Sequence, residues 1–309
     1  ARSSRPRRSM LARAMNSPPL YSCAVYISSG LASVAARAAS AAARTKGCSV
    51  VDTFCDRDYA RSSVKLVGSA GPLLEAAGAA ALEALSLVDL SREPHPAPHP
   101  RQGAIDMVAF MPLSELRCEL IARELASCDD LAWNLGQKLG MRGVPVLMYG
   151  LRAQRSLLET RRGTSFFSSV TTASSRDTST VLPLDFGPGP PLRQDTGISI
   201  IGSMPYVTNF NVRVAGEISL VECRSIASRV RTDCGVQVMA LPYSEGTFEI
   251  GCNLQATENT ESPSTSSVLL IVQSRLPPNA RVVKSYVVGL TPAEALRRAQ
   301  DDQATGQYL

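Results

Sequence analysis

An α+β protein in two halves of unequal length is what this sequence predicts, on three observations. Strand-like and helix-like segments alternate through residues 20–162, the composition changes over 163–183, and the alternation resumes over 184–309. The break is rich in Ser and Thr with little apolar periodicity, and a Pro/Gly cluster from Pro183 to Pro191 follows it, as expected of a linker between subdomains. At 309 residues with 44% hydrophobic content, the chain has ample core for two such units. The richest apolar stretch, Pro72 to Leu90, is interrupted by Glu75 and Glu83, so no membrane span is predicted.

Taken in order, Leu20–Ser28 reads as a strand and Gly30–Thr45 as an alanine-rich helix. Ser49–Phe54 and Ser62–Val67 read as two further strands. Pro72, a good first-turn residue, opens a helix to about Val88. Met107–Met111 is an apolar strand, and Ser114 can cap a long helix that ends near Gly140. Val144–Tyr149 is a strand and Leu151–Arg161 a short helix. Beyond the break come strands near Ile198–Ser203 and Tyr206–Val214, a helix over Leu220–Thr232, and strands near Val236–Tyr243 and Thr247–Gln255. Ser266–Ser274, rich in Val and Leu, fits either a helix or a strand. A strand over Val282–Val288 and a helix from Pro292 close the chain.

The net charge of +5 is unevenly spread: residues 1–51 carry eight basic side chains and no acid. Residues 1–19, rich in Arg, Ser and Ala, read either as a disordered basic tail or as the remnant of an organellar transit peptide, which would place the protein in a mitochondrion or plastid. Their arginines are not interleaved with aromatics, which argues against nucleic acid as the partner. The eight cysteines form no C-x-x-C pair and several lie in apolar segments. They read as reduced core thiols of a non-secreted protein, with neither a disulfide framework nor a metal site expected.

Both histidines fall in one stretch, Pro94-His95-Pro96-Ala97-Pro98-His99-Pro100-Arg101-Gln102-Gly103-Ala104-Ile105-Asp106. Histidine is the side chain that most readily exchanges a proton near neutral pH. The four prolines at 94, 96, 98 and 100 forbid a helix, so a helical H-x-x-x-H metal pair is excluded by geometry. On the residues alone, two readings stand: a stiff surface loop, or a rigid loop presenting an acid–base imidazole ahead of a core strand. Asp185-Phe186-Gly187-Pro188 is a turn by its chemistry. Asn209-Phe210-Asn211 is unusual inside a strand, where Asn is disfavoured, and fits an edge irregularity or a pair of amides aimed at a ligand. The absence of a P-loop, a G-x-G-x-x-G and a G-x-S-x-G gives nucleotide-dependent and serine-hydrolase chemistry low priority.

These segments together resemble the formiminotransferase domain, the folate-dependent half of bifunctional formiminotransferase-cyclodeaminases, and within it the stand-alone plant-type members. His99-Pro100-Arg101-Gln102-Gly103-Ala104-Ile105-Asp106 is similar to the family's H-P-R-x-G-x-x-D. Leu135-Gly136-Gln137-Lys138-Leu139 followed by Val144-Pro145-Val146-Leu147-Met148-Tyr149-Gly150 is similar to its G-Q-[RK]-L…V-P-V-x-L-Y. Arg161-Arg162-Gly163, Asp185-Phe186-Gly187-Pro188, Phe210-Asn211 and Val288-Gly289-Leu290-Thr291-Pro292 follow in family order.

The resemblance implies two α/β subdomains, each a mixed β-sheet with helices packed on its outer face, and folate lying between them. It implies transfer of a formimino or formyl group between glutamate and N5 of tetrahydrofolate, with tetrahydrofolate as acceptor or donor substrate and no metal. Attack on the amidine carbon gives a tetrahedral intermediate whose leaving amine needs a proton, which an imidazole of ordinary pKa, about 6.5, can take and return. The family's catalytic histidine falls on His99. Arg61 aligns with a family arginine whose fork suits the carboxylates of glutamate or folate. Arg101 joins the expected binding site by its nearness to His99, and Asn211 and Asp185 as members of matched motifs. A homodimer is implied as well. The family's Asn-Arg pair reads Ala60-Arg61 here, and the segment after Gly163 departs strongly. Those departures permit an alternative, a catalytically inactive relative serving as structural subunit of an organellar assembly.

Overall fold

A computed structural model describes residues 18–92, 100–113, 118–164, 182–189, 193–256 and 262–305. Residues 1–17, both histidines and the expected cap Ser114 lie outside the described residues, as does 165–181. The first unit runs β1 (Tyr21–Ile27), α1 (Ala32–Ala43), β2 (Cys48–Asp56), β3 (Arg61–Gly68), α2 (Ala70–Leu87), β4 (Ile105–Pro112), α3 (Cys118–Gly140), β5 (Val146–Tyr149), α4 (Leu157–Arg162) and β6 (Ser199–Ser203). Its six-stranded sheet has the order β2-β3-β1-β4-β6-β5. The first four strands pair antiparallel, and β4, β6 and β5 pair parallel, so the sheet is mixed. Because β6 returns to this sheet, the first unit extends past the 163–183 segment expected to end it.

The second unit comprises β7 (Val207–Gly216), α5 (Leu220–Cys234), β8 (Gln237–Pro242), β9 (Phe248–Gln255), α6 (Thr265–Arg275), β10 (Ala280–Val288) and α7 (Pro292–Thr305). Its sheet order is β10-β7-β9-β8, and every pair is antiparallel, not mixed as expected. Each helical crossover skips one strand position, and an antiparallel strand fills the gap. This is the split β-α-β-β-α-β arrangement, and β1–β4 repeat it with the order β2-β3-β1-β4. The molecule is thus two copies of one motif, the first extended by β5 and β6.

Strand alternation decides what each sheet face carries. On the helix side of the first sheet, Cys23, Val25, Ile27, Val64, Leu66, Val108 and Phe110 are buried with Leu73, Ala77, Ala80 and Leu135 from the helices. In the second unit Phe210, Val212, Val214, Ile250, Cys252 and Leu254 are buried with Ile226, Val230, Val268 and Val272. The ambiguous Ser266–Ser274 segment is helical because Ser264 accepts from the Ser267 N–H and the i,i+4 pair Val268 and Val272 faces the core. The helix expected from Leu151 starts only at Leu157. Residues 151–154 instead turn back, with the Leu151 and Arg152 N–H groups bound to Asp129 and the Gly150 N–H to the Arg155 carbonyl. Cys23, Cys48, Cys55, Cys128, Cys223, Cys234 and Cys252 are free, and all but Cys55 and Cys234 are buried. Among the described residues no helix is long and apolar enough to cross a membrane.

Two features place the site. In β4, Tyr26 pairs with Met107 and Ile27 with Ile105, leaving Asp106 as a bulge. Beyond β10, Gly289 takes φ +82°, and Thr291 and Glu294 form a capping box that starts α7 at Pro292. That turn carries α7 back onto β2 and β3, where Ala295 and Ala299 are buried beside Val51 and Val67. The matched motif Val288-Gly289-Leu290-Thr291-Pro292 is therefore a device for joining the two units.

Candidate functional site between the two sheets

The faces of the two sheets turned away from their helices meet across a layer that is apolar around Met107, Ile200 and Tyr206, where α7 also packs, and polar elsewhere. The first sheet contributes the odd positions of β3, Arg61, Ser63 and Lys65, with Tyr26 of β1 and Met107 of β4. The second contributes Asn209, Asn211 and Arg213 of β7, Glu249 and Asn253 of β9, and Tyr286 of β10. Tyr26 donates to Asn209 Oδ1 at 3.4 Å and Tyr243 to Asp56 Oδ2 at 3.0 Å, so hydrogen bonds cross from one unit to the other. Burial pushes the Tyr26 phenol up to about 12, against the opposing charge of Arg161, so Tyr26 is a neutral donor at physiological pH. Cavities of about 300 and 440 Å3 lie elsewhere, the first beside Gly150 and Ser203, the second between α5 and the end of α6.

Arg61 is the organising cation. Its guanidinium donates to Ser28 Oγ and the Pro100 carbonyl and lies 3.7 Å from Asp106 Oδ1. Asp106, 3% exposed, also accepts from the Gln102 N–H at 2.6 Å, while Ser28 Oγ donates to the Gly103 carbonyl at 2.6 Å. Arg61 therefore ties β3, the end of β1 and the chain on either side of Arg101 into one node. Burial lowers its pKa; Asp106 opposes the shift, and the nearby Arg161 adds to it. Arg61 adjoins Ala60, which has φ +50°. Asn is among the residues that best tolerate that left-handed region, so the family's Asn suits the turn geometry.

On the facing sheet, Glu249 is 2% exposed and accepts from Asn211 Nδ2 at 2.8 Å, Tyr286 Oη at 2.7 Å and Arg213 Nη2 at 3.3 Å. Arg213 stacks over the Tyr243 ring at 3.6 Å, and Tyr243 meets Tyr59 edge to face at 5.2 Å. The series Asn211, Glu249, Arg213, Tyr243, Tyr59 thus runs from the second sheet to the turn that holds Arg61. Burial, followed by the Glu249 hydrogen bond, raises Tyr286 to about 12.

Of the residues expected from the sequence, Arg61 and Asn211 come into this one layer. Arg101 sends an N–H toward the Leu90 carbonyl at 3.5 Å, at the turn after α2. Asp185 lies at the β5 edge, four strand spacings or about 19 Å from β3. Its carboxylate accepts from the Met148 N–H at 2.7 Å and pairs with Arg155, which fastens the Phe186 segment alongside Val146. His99 lies outside the described residues; its neighbour Pro100 is the residue whose carbonyl Arg61 holds.

Sequence reasoning gave no role to Tyr26, Arg161, Lys65 or Glu249. Arg161, the first residue of the Arg161-Arg162-Gly163 match, places Nη2 3.6 Å from Met107 Sδ, and its charge acts on Arg61, Tyr26 and Tyr149. That motif was the available signal. Glu249 and Lys65 gave none, since each is one charge in an otherwise unmarked strand.

Lys65 joins the two units. It is 5% exposed, donates to Tyr206 Oη at 3.0 Å and the Leu290 carbonyl at 3.4 Å, and has Asp52 nearby. Burial pushes its ammonium down to about 8, with Asp52 opposing the shift. The folded protein releases this proton near pH 8, whereas an unfolded lysine holds it to about 10.4. Between those values the unfolded state binds more protons, so stability relative to Lys65→Met should rise from pH 8 to 10.5. Urea denaturation of both proteins from pH 7 to 10.5 measures this; a pH-independent difference would count against it.

The chain is thus a two-unit α+β protein whose sheets face one another across a layer holding Arg61, Asn209, Asn211 and Arg213. Residues 20–204 match the formiminotransferase domain, N-terminal subdomain, a span that ends one residue past β6. The chain belongs to the formiminotransferase family. It is 29% identical over 296 residues to a formiminotransferase cyclodeaminase-like protein of Arabidopsis thaliana, covering 90% of this chain and 96% of that one. It is 28% identical over 258 residues to the glutamate formimidoyltransferase of Thermoplasma acidophilum, covering 80% and 79%. Against the formimidoyltransferase-cyclodeaminase of Gallus gallus it is 27% identical over 273 residues, which is 84% of this chain and 48% of that longer protein.

Proposed function

We propose that the protein is a folate-dependent one-carbon transferase that moves a formimino or formyl group between glutamate and N5 of tetrahydrofolate. The carrying observation is the Arg61 node, a buried fork that anchors the carbonyl of the residue following His99 on the sheet face where Tyr26 reaches across to Asn209. Two dicarboxylates, glutamate and the glutamyl tail of folate, call for cations, and Arg61 and Arg161 supply them on the first-sheet side. Asn209 and Asn211 supply amides on the other. His99 is the acid–base group: it takes the N5 proton as N5 attacks the amidine carbon and, from the tetrahedral intermediate so formed, returns it to the glutamate amine as the C–N bond to glutamate breaks. No step of this scheme draws on a metal. The basic residues 1–19 fit an organellar address in a mitochondrion or plastid, and a homodimer fits the family.

The test is calorimetric titration with 5-formyltetrahydrofolate, followed by transfer assays with formiminoglutamate and glutamate. Micromolar affinity is expected. No heat at millimolar ligand would overturn the enzyme reading in favour of a structural subunit.

A further inference from the structure

We infer that Gln102 is a specificity residue whose carboxamide, together with the Thr196 hydroxyl, reads the pteridine end of the folate substrate. The inference rests on the folate reading above and goes beyond it by assigning the subsite. Gln102 is 1% exposed, and neither Nε2 nor Oε1 has a hydrogen-bond partner. Thr196, 5% exposed, carries a second orphan, Oγ1. A buried carboxamide brings two donors and an acceptor out of water, and leaving them unmet costs on the order of 1–3 kcal/mol per group. Two such unmet groups, each one residue from the same backbone bridge, point to a partner other than the chain.

Their placement follows from the local pairing. Gly103 and Gly197 form an antiparallel bridge, with the Ile198 N–H bound to the Gln102 carbonyl and the Ala104 N–H to the Thr196 carbonyl. A side chain at Gly103 would strike the Ile198 carbonyl at 2.3 Å, so the close approach requires glycine there. The bridge puts Gln102 and Thr196 on the side taken by Ile198. Strand alternation carries that side on to Ile200, which is buried with Met107, Tyr149 and Tyr206 in the layer facing the second unit. The Gln102 backbone N–H is held by Asp106, the partner of Arg61, so the residue's main chain is fixed by the node already described.

The chemistry selects the ligand edge. A carboxylate only accepts and would leave Oε1 unmet; a protonated amidine only donates and would leave the Nε2 hydrogens unmet. The 2-amino-4-oxo edge of a pteridine sets N–H groups beside a carbonyl, which matches a carboxamide and a hydroxyl together. A site built to bond such an edge discriminates strongly against ligands that lack it.

The test compares wild type, Gln102→Leu and Thr196→Val for binding of 5-formyltetrahydrofolate and of p-aminobenzoylglutamate, which has no pteridine, with melting temperatures alongside. Gln102→Leu should weaken 5-formyltetrahydrofolate at least tenfold, leave p-aminobenzoylglutamate within threefold, and melt no lower than wild type. Thr196→Val should weaken the same ligand by less and reads the same subsite should Gln102→Leu fail to fold. Unchanged affinity with a raised melting temperature would overturn the inference in favour of a buried water as the only occupant, leaving the folate reading intact. Equal weakening of both ligands would overturn it too. Failure of wild type to bind 5-formyltetrahydrofolate removes the folate reading itself, and is seen without any variant.

Discussion

Exchange of His99 for glutamine is expected to slow formimino transfer by roughly 10²–10⁴-fold while affinity for 5-formyltetrahydrofolate stays within about threefold of wild type. The reaction needs one group that accepts a proton during attack and donates it during departure. The chain holds only two imidazoles, His95 and His99. Of these, His99 precedes the anchored residue: the Pro100 carbonyl is gripped by Arg61, itself fixed by Ser28 and Asp106. His95 is four residues further along a proline-spaced segment, so His95→Gln should leave the rate nearly unchanged and serves as the control. Glutamine keeps hydrogen-bonding capacity and loses proton transfer, which separates chemistry from binding. Single-turnover rates measured beside calorimetric affinities decide the matter. An unimpaired His99→Gln enzyme would mean that solvent or another group moves the proton.

Much of the fold is legible in local pattern, because apolar alternation and capping residues are local signals. The first-unit strands, the helix from Pro292 and the turn at Gly187 all follow from neighbours within a few positions. What is not legible is register. Arg61 and Asp106 are 45 positions apart, and only the pairing of β3 with β1 and of β1 with β4, with its bulge, brings a basic strand end beside that carboxylate. The repeat of one motif in both units is hidden for the same reason: strand order is a long-range property. Asn209 and Asn211 are unusual in sequence because strands disfavour Asn, and the structure supplies the cause. They occupy the face of β7 opposite Phe210 and Val212, bonding Asn253 and Glu249 where apolar side chains would leave those partners unmet. Asp185 shows the converse. Its motif is legible, yet the carboxylate is engaged by the Met148 N–H and Arg155, so a matched motif here marks a fastening of the sheet edge.

The largest effect on stability should come from Arg61→Leu, which is expected to cost about 3–5 kcal/mol in urea denaturation. Leucine fills part of the volume but leaves Asp106, 3% exposed, as a buried carboxylate without its cation, and leaves the Pro100 carbonyl without this donor. The loss arises from the group left behind more than from the ion pair itself, since desolvating two charges offsets most of their attraction. Arg61→Leu combined with Asp106→Leu should therefore recover much of the loss, giving a coupling energy of about 1–3 kcal/mol in a double-mutant cycle. Arg61→Lys tests geometry: one ammonium cannot span Ser28 Oγ, the Pro100 carbonyl and Asp106 as a planar fork does, so it should fold yet bind folate and turn over poorly. Strict additivity of the two leucine substitutions would mean that Arg61 and Asp106 act independently, and the node would then be two contacts that happen to be near each other. Coupling, with the lysine variant folded but impaired, would establish that the same buried fork that stabilises the first sheet also fixes the chain carrying His99.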